Sequence, residues 1–589
     1  MSSNKIIKYL LRKGPIRLNI LAIIAIIYDF GFVQTNEIEL LLDWVYISTL
    51  STGIVFTIAR AILKEVRPRF KVIIFDFLSI LFFTLVLLGR FETTVIYKLI
   101  HLFSSSGWLY AAVVLAFFRE LSSLKLDWSK TYLNPAQLFI LSFFGIILIG
   151  SLMLMLPNAT YEKISFIDAF FTSTSAVCVT GLIVVDTASY FTFFGQFIII
   201  VLIQIGGLGI MTFASYFSYF FRGDTSYKNQ LILSDITTSN KLGEVFGTLK
   251  KIIITTLSIE IFGAILIFWN IENTQHASFF DQLFFSIFHS ISAFCNAGFS
   301  TLSEGLFDVS YRFNYPFQLI IIFLFVIGGL GFPIVFNLLK YLKYLFSERI
   351  IPKITNREKP GHVIPWVINL NSRIVIITTL VLLFGSTIII YLNEFGNSLA
   401  VHNSFGKMVT ALFTASTPRT AGFHTVDFAN LKFSTIMLLF LLMWIGASPA
   451  STGGGIKTNT FAIATLNFWS IARGKERIEI FRREVADISV RRSYAIISLS
   501  LIVIGTGVFL IASFDSDKDL LSIAFECFSA YSTVGLSLGI TSSLSVASKF
   551  VLIAIMFIGR VSMLTIMIAI IRKVKHKNYR YSKEEILIN

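Results

Sequence analysis

The sequence predicts an all-α polytopic membrane protein. Four tandem span–pore helix–span units should surround one pore with pseudo-fourfold symmetry, preceded by about four extra N-terminal transmembrane helices. Of 589 residues, 55% are hydrophobic and only 14% are charged, whereas soluble domains carry about 25% charged residues. Apolar stretches of about 20 residues, long enough to cross a ~30 Å hydrocarbon core, recur along the chain. A polar turn that ends in glycine also occurs four times.

The N-terminal extension, residues 1–130, lacks the glycine turn. Its apolar segments lie near residues 17–35, 40–62, 71–89 and 97–118. A basic tail precedes the first segment, an acidic loop (NEIELLLD) follows it, and the next loop (RAILKEVRPRFK) is basic again. Because Lys and Arg concentrate in cytoplasmic loops, we expect this extension to begin and end in the cytoplasm.

A unit then repeats four times, at residues 131–235, 236–360, 361–480 and 481–575, before a cytoplasmic tail at 576–589. Each unit contains a span, a short re-entrant helix with its turn, and a second span. The predicted spans are 136–156 and 192–220, 250–270 and 315–343, 372–393 and 433–470, and 492–513 and 548–572. Basic loops (RGDTSYK, KYLKYLFSER, RGKERIEIFRR) follow the second spans. Both termini should therefore be cytoplasmic, and all four turns should face outward.

The four turns read SAVCVTG, SAFCNAG, STPRTAG and SAYSTVG, with serine six residues before each glycine. Non-helical backbone at membrane depth must be buried in protein or line water, and rings of backbone carbonyls can replace a cation's water shell. The glycine stays while the neighbouring side chains vary, which suits a site built from backbone. A single such turn would more simply be a tight interhelical turn, but four in register favour a filter. The predicted K⁺ selectivity filter comprises Val179, Thr180, Gly181, Asn296, Ala297, Gly298, Thr420, Ala421, Gly422, Thr533, Val534 and Gly535.

A glycine-rich stretch, GASPASTGGGIKTNT at 446–460, interrupts the second span of the third unit. Consecutive glycines hold a helix poorly, so Gly453, Gly454 and Gly455 predict either a gate below the filter or a passive break between two helices. Lys457 is either a barrier charge or a snorkelling base. The motif IGGLG, at 205–209 and 327–331, lies inside apolar spans and indicates packing or flexibility, because a nucleotide-binding loop needs a preceding strand.

Arg560 lies about ten residues from either end of an apolar run, where arginine costs roughly 2.5–3.5 kcal/mol. Such residues usually face a pore or a partner, which predicts a positive charge beside the permeation path. The alternative is a buried structural ion pair, with Glu526 as the candidate partner.

Other classes of function find little support in the residues. The net charge of +15 is explained by the loops between spans, so no nucleic-acid partner is expected. Three cysteines show neither zinc-ligand spacing nor a disulfide framework, and no cofactor is expected in this chain. The acids and histidines do not form catalytic pairs, so we do not expect an enzyme. A Na⁺-coupled or Na⁺-permeable secondary transporter is the nearer alternative, and a membrane-embedded enzyme is the remote one.

Several motifs, in order over residues 135–575, resemble the Trk/Ktr/HKT superfamily of potassium transporters, most closely its bacterial KtrB/TrkH membrane subunits. They are LMLMLP, TSAVCVTGL, IQIGGLG, CNAGF, STPRTAGFHTVD, STGGGIKT and MFIGRV. The resemblance implies potassium uptake across the cell inner membrane, with K⁺ bound at the filter residues, and a homodimer. It also implies a cytosolic RCK-type regulatory subunit, KtrA/TrkA-like, that binds nucleotide.

In this family the residues that match Gly453–Lys457 and Arg560 gate or limit conduction. Members with serine at the first filter glycine tend to pass Na⁺, so Gly181 implies K⁺ as the transported ion. Na⁺ stays open as an activator. The four N-terminal spans exceed what typical members carry, and the resemblance implies no role for them.

Overall fold

A computed structural model describes residues 3–62, 70–90, 103, 105–123, 135–209, 245–271, 278–345 and 369–570. Four N-terminal helices come first: α1 (Ser3–Gly31), α2 (Asn36–Ile62), α3 (Phe70–Arg90) and α4 (Ser106–Ser123). The predicted four-helix extension is confirmed, although α1 begins at Ser3 rather than near residue 17. Part of the fourth predicted segment, 97–102, lies outside the described residues.

Apart from two four-residue helices, Thr187–Tyr190 and Val309–Arg312, the remaining described α-helices repeat the predicted order of first span, re-entrant helix and second span. The first unit holds α5 (Pro135–Leu154), α6 (Phe166–Val177) and α7 (Phe193–Leu208), and the second holds α8 (Val245–Asn270), α9 (Phe279–Phe294), α10 (Tyr315–Leu330) and α11 (Phe332–Leu345). The third holds α12 (Leu370–Glu394), α13 (Ser404–Ser416), α14 (Phe433–Trp444) and α15 (Thr458–Ala472). The fourth holds α16 (Asp487–Phe514), α17 (Leu520–Ser532), α18 (Val546–Val561) and α19 (Met563–Ile570).

Strand structure is confined, in the described ranges, to one antiparallel pair, β1 (Glu479–Ile480) and β2 (Arg483–Glu484), between the third and fourth units. This hairpin falls in the basic loop RGKERIEIFRR, where the sequence indicated only a connection. By length and composition, six described helices could each cross a membrane, and the bent pair α10–α11 would make a seventh span. These features are those of a multi-pass, nearly all-helical membrane protein.

The N-terminal bundle, α1–α4, has its own core. Its buried apolar residues are Ala22, Ala25, Leu42, Tyr46, Leu50, Phe83, Val86, Leu109, Ala112, Val113 and Ala116. The Asp29 carboxylate accepts hydrogen bonds from Tyr46 Oη (3.1 Å) and Tyr110 Oη (2.8 Å). Arg119 forms a bidentate ion pair with Asp76, at 3.0 and 3.1 Å. The carboxylates of Asp29 and Asp76 are thus satisfied within the bundle, as an apolar surrounding requires.

The bundle contacts the first unit at the end of α1. Asn158 Nδ2 donates a hydrogen bond to the Phe30 carbonyl at 3.1 Å. The Phe30 ring stacks on Phe194, the second residue of α7, with centroids 5.6 Å apart. Gly31 faces Leu156, whose side chain would lie 2.9 Å from a β-carbon at that position. The extension therefore contacts the first unit where α5 ends and α7 begins.

The second spans of the first, second and fourth units stop being helical at an equivalent place, after 16 residues. Helix α7 ends at Gly209 (φ 76°), α10 at Gly331 (φ 81°) and α18 at Ser562 (φ 75°). The predicted spans 315–343 and 548–572 are therefore each interrupted, because a residue with positive φ ends α10 and α18, and the chain bends by 108° between α10 and α11. The part of span 192–220 beyond residue 209 lies outside the described residues.

The third second span shows the predicted interruption. Helix α14 ends at Trp444 and α15 begins at Thr458, with a non-helical loop at 445–457 between them. A backbone bridge between Ile445 and Ile456 closes the neck of this loop. The loop can therefore project from the span while the two half-helices stay close together.

A glycine occupies the same place in each second span, thirteen residues after the helix begins: Gly206, Gly328, Gly446 and Gly559. A β-carbon at Gly328 would lie 1.9 Å from the Phe294 carbonyl oxygen, at the end of the re-entrant helix α9. Gly206 and Gly559 face the corresponding carbonyls of Val177 (2.1 Å) and Tyr531 (1.9 Å). The first glycine of IGGLG, like Gly559 in the fourth unit, is thus a packing site that lets the second span press on the turn of its own unit, whereas Gly446 of the third unit faces the Gly454 carbonyl of the loop (2.3 Å).

Replacing Gly328 with alanine should destabilise the protein by roughly 1–3 kcal/mol, because the β-carbon would collide with backbone that cannot rotate away. Gly385→Ala in α12 is the matched control, since no atom lies within 4 Å of a β-carbon there. Thermal unfolding of the purified variants measures both. Equal melting temperatures for the two variants would contradict the close-packing role of Gly328.

Candidate functional site

Four short helices lead into the four glycine turns. Helices α6, α9, α13 and α17 contain 12, 16, 13 and 13 residues, fewer than the ~20 needed to cross a bilayer. Each begins with a side-chain cap, from Ser165, Ser278, Asn403 and Asp519. Capping satisfies one of the free amides of a first turn. Each helix thus directs the negative end of its dipole, which favours a cation, toward the turn that follows.

The four turns meet in a closed ring. A β-carbon on Gly181 would lie 2.3 Å from the carbonyl oxygen of Ala297, the residue before the next ring glycine. The same approach repeats around the ring: Gly298 to Ala421 (2.9 Å), Gly422 to Val534 (2.2 Å) and Gly535 to Thr180 (2.3 Å). The fourth turn thereby returns to the first. The structure brings all twelve predicted filter residues together around one axis.

The backbone of each turn has the same strain. The residue two positions before the ring glycine is left-handed in every copy: Val179 (φ 57°), Asn296 (φ 61°), Thr420 (φ 75°) and Thr533 (φ 50°). Positive φ is uncommon outside glycine, especially at β-branched residues, and such strain persists only where the surroundings impose it. All eight non-glycine members of the ring are 0% exposed. Their side chains are packed in protein, and four backbones of one shape line the axis.

Hydroxyl groups tie each turn together. Ser175 Oγ accepts a hydrogen bond from the Gly181 amide (3.0 Å), as Ser529 Oγ does from Gly535 (3.1 Å). Ser292 Oγ instead donates to the Phe299 carbonyl (2.7 Å).

The third turn departs from the predicted serine register. Ser416 Oγ donates back into its own helix, to the Leu412 carbonyl at 2.7 Å. Thr417 Oγ1 takes the tying role and donates to the Phe423 carbonyl at 2.5 Å. The hydroxyl residue that holds this turn, Thr417, is one residue nearer to the ring glycine than the serines of the other turns. The equivalence of Ser416 with the other three serines was therefore wrong.

The loop at 445–457 lies against three of the four turns. The Gly454 amide donates to Thr533 Oγ1 at 2.9 Å, and a β-carbon on Gly453 would lie 2.1 Å from Thr420 Oγ1. Thr452 Oγ1 lies 3.4 Å from the side-chain amide of Asn296. All three partners are the left-handed residues of their turns. The glycine-rich sequence therefore lets the loop backbone press directly on the ring.

Two cations hold this loop. Arg560 donates to the Thr452 carbonyl and, from its second terminal nitrogen, to the Gly206 carbonyl at 2.5 Å. Lys457 Nζ donates to the carbonyls of Gly453 (2.5 Å) and Gly454 (3.4 Å). Arg560 lies in the last turn of α18, beside the break, rather than in the middle of a continuous span. It thus joins the fourth unit to the loop of the third and to the second span of the first.

The alternative pairing of Arg560 with Glu526 was wrong. Glu526 accepts hydrogen bonds from Ser537 Oγ (2.5 Å) and Thr541 Oγ1 (2.9 Å), beyond the fourth turn. Within the described part of the chain, neither Arg560 nor Lys457 forms an ion pair with a carboxylate. Backbone carbonyls alone hold both charges in place.

Sequence reasoning missed three groups in this site: Thr417, Thr452 and the Gly206 carbonyl. The glycine that recurs thirteen residues into each second span was the available signal for Gly206. Thr452 offered no signal, because its carbonyl and hydroxyl act through contacts with distant parts of the chain.

The comparisons with known proteins extend over most of the chain. The family model TrkH, described as a cation transport protein, matches residues 111–581. Ktr system potassium uptake protein B of Bacillus subtilis (strain 168) is 36% identical over 455 residues, which cover 77% of this chain and 96% of that protein. Potassium/sodium uptake protein NtpJ of Enterococcus hirae is 32% identical over 464 residues, covering 77% and 97%.

A further relative and one solved structure agree with these matches. Ktr system potassium uptake protein B of Vibrio alginolyticus is 33% identical over 437 residues, covering 73% of this chain and 90% of that protein. The crystal structure of the potassium transporter TrkH from Vibrio parahaemolyticus has a TM-score of 0.58, covering 84% of this chain and 95% of that chain, at 19% identity. The latter likeness is one of fold. Because the family model spans well over half of the sequence, this chain belongs to the TrkH family of cation transport proteins.

Proposed function

We propose that this chain is the membrane subunit of a system that takes up potassium across the cell inner membrane. The observation that carries the proposal is the closed ring of four strained turns. Carbonyl oxygens from four turns around one axis can replace the water shell of a monovalent cation without a fixed charge. The transported K⁺ would bind at the twelve filter residues. The names of the relatives from Bacillus and Vibrio, which are potassium uptake proteins, support this reading.

A Na⁺-permeable or Na⁺-coupled transporter is the second candidate. The relative from Enterococcus hirae carries both ions in its name. Glycine at position 181 favours K⁺ by the family resemblance, since members with serine there tend to pass Na⁺. In this ring a side chain at position 181 would push on the Ala297 carbonyl. Reversal potentials of the reconstituted protein under bi-ionic K⁺ and Na⁺ conditions decide between the two candidates, and K⁺ uptake into liposomes tests the function as a whole.

The loop at 445–457, with Gly453, Gly454, Gly455, Lys457 and Arg560, is the proposed gate. It contacts the ring through Thr452, Gly453 and Gly454, and Arg560 fastens it to α7. A guanidinium beside the path would also repel an approaching K⁺, since like charges interact strongly where water is sparse. If the hydrogen bonds of Arg560 were released, the loop could move away from the ring. The electrostatic barrier to K⁺ would fall at the same time.

The assembly proposed for this chain rests on its resemblance to the same family. We propose a homodimer with both termini in the cytoplasm and a cytosolic RCK-type subunit, KtrA/TrkA-like, that binds nucleotide. The relatives from Bacillus subtilis and Vibrio alginolyticus are named as parts of a Ktr system, which supports a partner subunit. Na⁺ is a candidate activator. No nucleic-acid partner and no enzymatic activity are proposed.

Gly181→Ser should lower the K⁺ over Na⁺ permeability ratio, because its β-carbon would meet the Ala297 carbonyl oxygen at 2.3 Å and widen one quarter of the ring. Gly145→Ser in α5 is the control, since nothing lies within 4 Å of a β-carbon there. Bi-ionic reversal potentials measure the ratio. A folded Gly181→Ser protein with an unchanged reversal potential would refute the filter assignment.

Deletion of Gly453–Gly455 should raise K⁺ uptake at unchanged selectivity, because these residues press on Thr420 and Thr533 of the ring. Uptake into liposomes, normalised to reconstituted protein, measures the effect. Uptake that stays the same or falls, at normal protein yield, would reduce the loop to a passive break between α14 and α15.

Arg560→Ala should raise K⁺ uptake several-fold and leave selectivity unchanged. No carboxylate among the described residues would lose its partner, so the melting temperature should stay near that of the wild type. Arg560→Lys keeps the charge but cannot make the same two hydrogen bonds to the loop and to α7. Low uptake in the lysine variant would indicate that Arg560 acts by electrostatic repulsion of K⁺. High uptake would indicate that it acts by holding the loop through these bonds. An unstable, inactive alanine variant would exclude both roles.

A further inference from the structure

Two turns on opposite sides of the ring carry the same pair of side chains. The ring contacts run from the first turn to the second, third and fourth and back to the first, so the second and fourth turns face each other across the axis. In both of them a serine lies two residues after the ring glycine (Ser300 and Ser537), and a titratable residue of the re-entrant helix lies nine residues before it (His289 and Glu526). The structure brings each serine into contact with the titratable residue of its own turn.

In the second turn, the serine connects helix α9 to the chain that follows the ring. Ser300 Oγ accepts a hydrogen bond from the Leu302 amide at 3.1 Å and lies 2.9 Å from His289 Nε2. His289 Nδ1 lies 2.9 Å from the Phe285 carbonyl oxygen. A carbonyl oxygen can only accept, so Nδ1 carries the proton of the neutral ring and Nε2 accepts from the Ser300 hydroxyl. The imidazole is thus fixed at one nitrogen by its own helix and holds the serine with the other.

The fourth turn repeats this connection with a carboxylate in place of the imidazole. Ser537 Oγ accepts from the Gly539 amide at 2.8 Å and donates to Glu526 Oε1 at 2.5 Å. Thr541 Oγ1 donates to Glu526 Oε2 at 2.9 Å, and the Leu538 amide is a third donor to this carboxylate. Glu526 is 0% exposed and forms no ion pair with any described residue. Its hydrogen bonds, which offset the cost of burial, therefore all go to the chain that follows the ring.

The first and third turns cannot form this connection. Their equivalent residues are Thr172 and Ile183 in the first turn, and Phe413 and His424 in the third. Ile183 and Phe413 have no polar side-chain atom, and Thr172 Oγ1 donates to the Asp168 carbonyl of its own helix at 2.8 Å. Both turns nevertheless have the same left-handed residue as the other two. Because the turn forms without the connection, its presence in two opposite turns calls for a role other than folding the turn.

Each connection lies beside the hydroxyl that holds the ring glycine itself. Glu526 and Ser529 are three residues apart on α17, so their side chains lie on one face of that helix. Ser529 Oγ accepts from the Gly535 amide, and Glu526 holds Ser537 two residues further along. The carbonyl groups between these two points are therefore fixed from both sides. Helix α9 has the same spacing between its two contacts with the second turn.

We propose that His289 and Glu526 are positioning residues for the ion selectivity of the ring. Each holds, through its serine, the peptide units that follow the ring glycine, and the two act on opposite sides of the axis. Carbonyl groups fixed in this way keep the ring at one radius, whereas carbonyl groups that can tilt would also close around the smaller Na⁺. Precise placement of a binding group depends on such supporting hydrogen bonds. The inference rests on the proposed function, because that function supplies the ion that the ring selects.

The experiment measures bi-ionic K⁺ and Na⁺ reversal potentials of the reconstituted full-length protein. Ser300→Ala and Ser537→Ala should each lower the K⁺ over Na⁺ permeability ratio by roughly threefold or more, the factor that one hydrogen bond of ordinary net strength contributes. Ser286→Ala is the matched control, because Ser286 is a 0% exposed residue of α9 whose hydroxyl donates to the Gln282 carbonyl of the same helix at 2.7 Å. It should keep the wild-type ratio, although it also loses a buried hydrogen bond.

Conservative replacements separate positioning from packing. His289→Gln keeps a side-chain oxygen that can accept from Ser300 and should retain the wild-type permeability ratio. His289→Leu keeps the apolar contacts but not the acceptor, and it should lower the ratio as Ser300→Ala does. Glu526→Gln removes one of the two acceptor oxygens and should lower the ratio as Ser537→Ala does.

Unchanged reversal potentials in folded Ser300→Ala and Ser537→Ala proteins would overturn the inference, as would an equal loss of selectivity in Ser286→Ala. A change in Glu526→Gln with none in Ser537→Ala would also overturn it, because the carboxylate would then act through its charge. Should Ser537→Ala fail to fold, Ser300→Ala and the two His289 variants decide the question. A wild-type protein without preference for K⁺ would refute the proposed function and this inference with it, whereas a K⁺-selective wild type with unaffected serine variants would overturn this inference alone.

Discussion

The contact on which the architecture depends is the approach of each ring glycine to the carbonyl oxygen of the next turn. A β-carbon would lie within 2.2–2.9 Å of that oxygen at all four glycines, a separation that side chains do not tolerate. Neighbouring turns can therefore close into a ring only through glycine. The second spans of the first, second and fourth units make a parallel demand, because their own glycines press on the carbonyls that end the re-entrant helices. A second layer of glycine contacts thus packs three of the four units against their own turns.

Within this symmetric backbone, the side chains are distributed unevenly. The third unit has the shorter turn tied by Thr417 and the long loop at 445–457. The fourth unit contributes Arg560, which reaches the third unit through Thr452 and the first through Gly206. A site of fourfold symmetry suits the selection of a spherical ion, whereas a gate needs only one element that can obstruct the axis. This asymmetry therefore falls where the gate is proposed, and the fourfold backbone where selection is proposed.

Much of this arrangement could be predicted from residue patterns. The four turns, the interruption at the glycine-rich stretch and the N-terminal helices were all predicted and are present. The interruptions within the predicted spans 315–343 and 548–572 were not predicted, because hydropathy does not reveal a single residue with positive φ such as Ser562. The serine register failed in the third turn for a similar reason, since Ser416 has a competing acceptor in its own helix. The alternative pairing of Arg560 with Glu526 was wrong because the hydroxyls of Ser537 and Thr541, which lie near Glu526 in the chain, donate hydrogen bonds to its carboxylate.

Local sequence therefore decides the number, order and type of the helices, because apolar length, caps and glycine turns each act over a few neighbouring positions. It also identifies the ring glycines, since each of the four turns needs a glycine at the same position. Folding alone decides which groups touch across the ring. Asn296 meets Thr420 across 124 positions, and Arg560 reaches Gly206 across 354. No periodic pattern encodes such pairs, because they form only when four separately specified units close on one another.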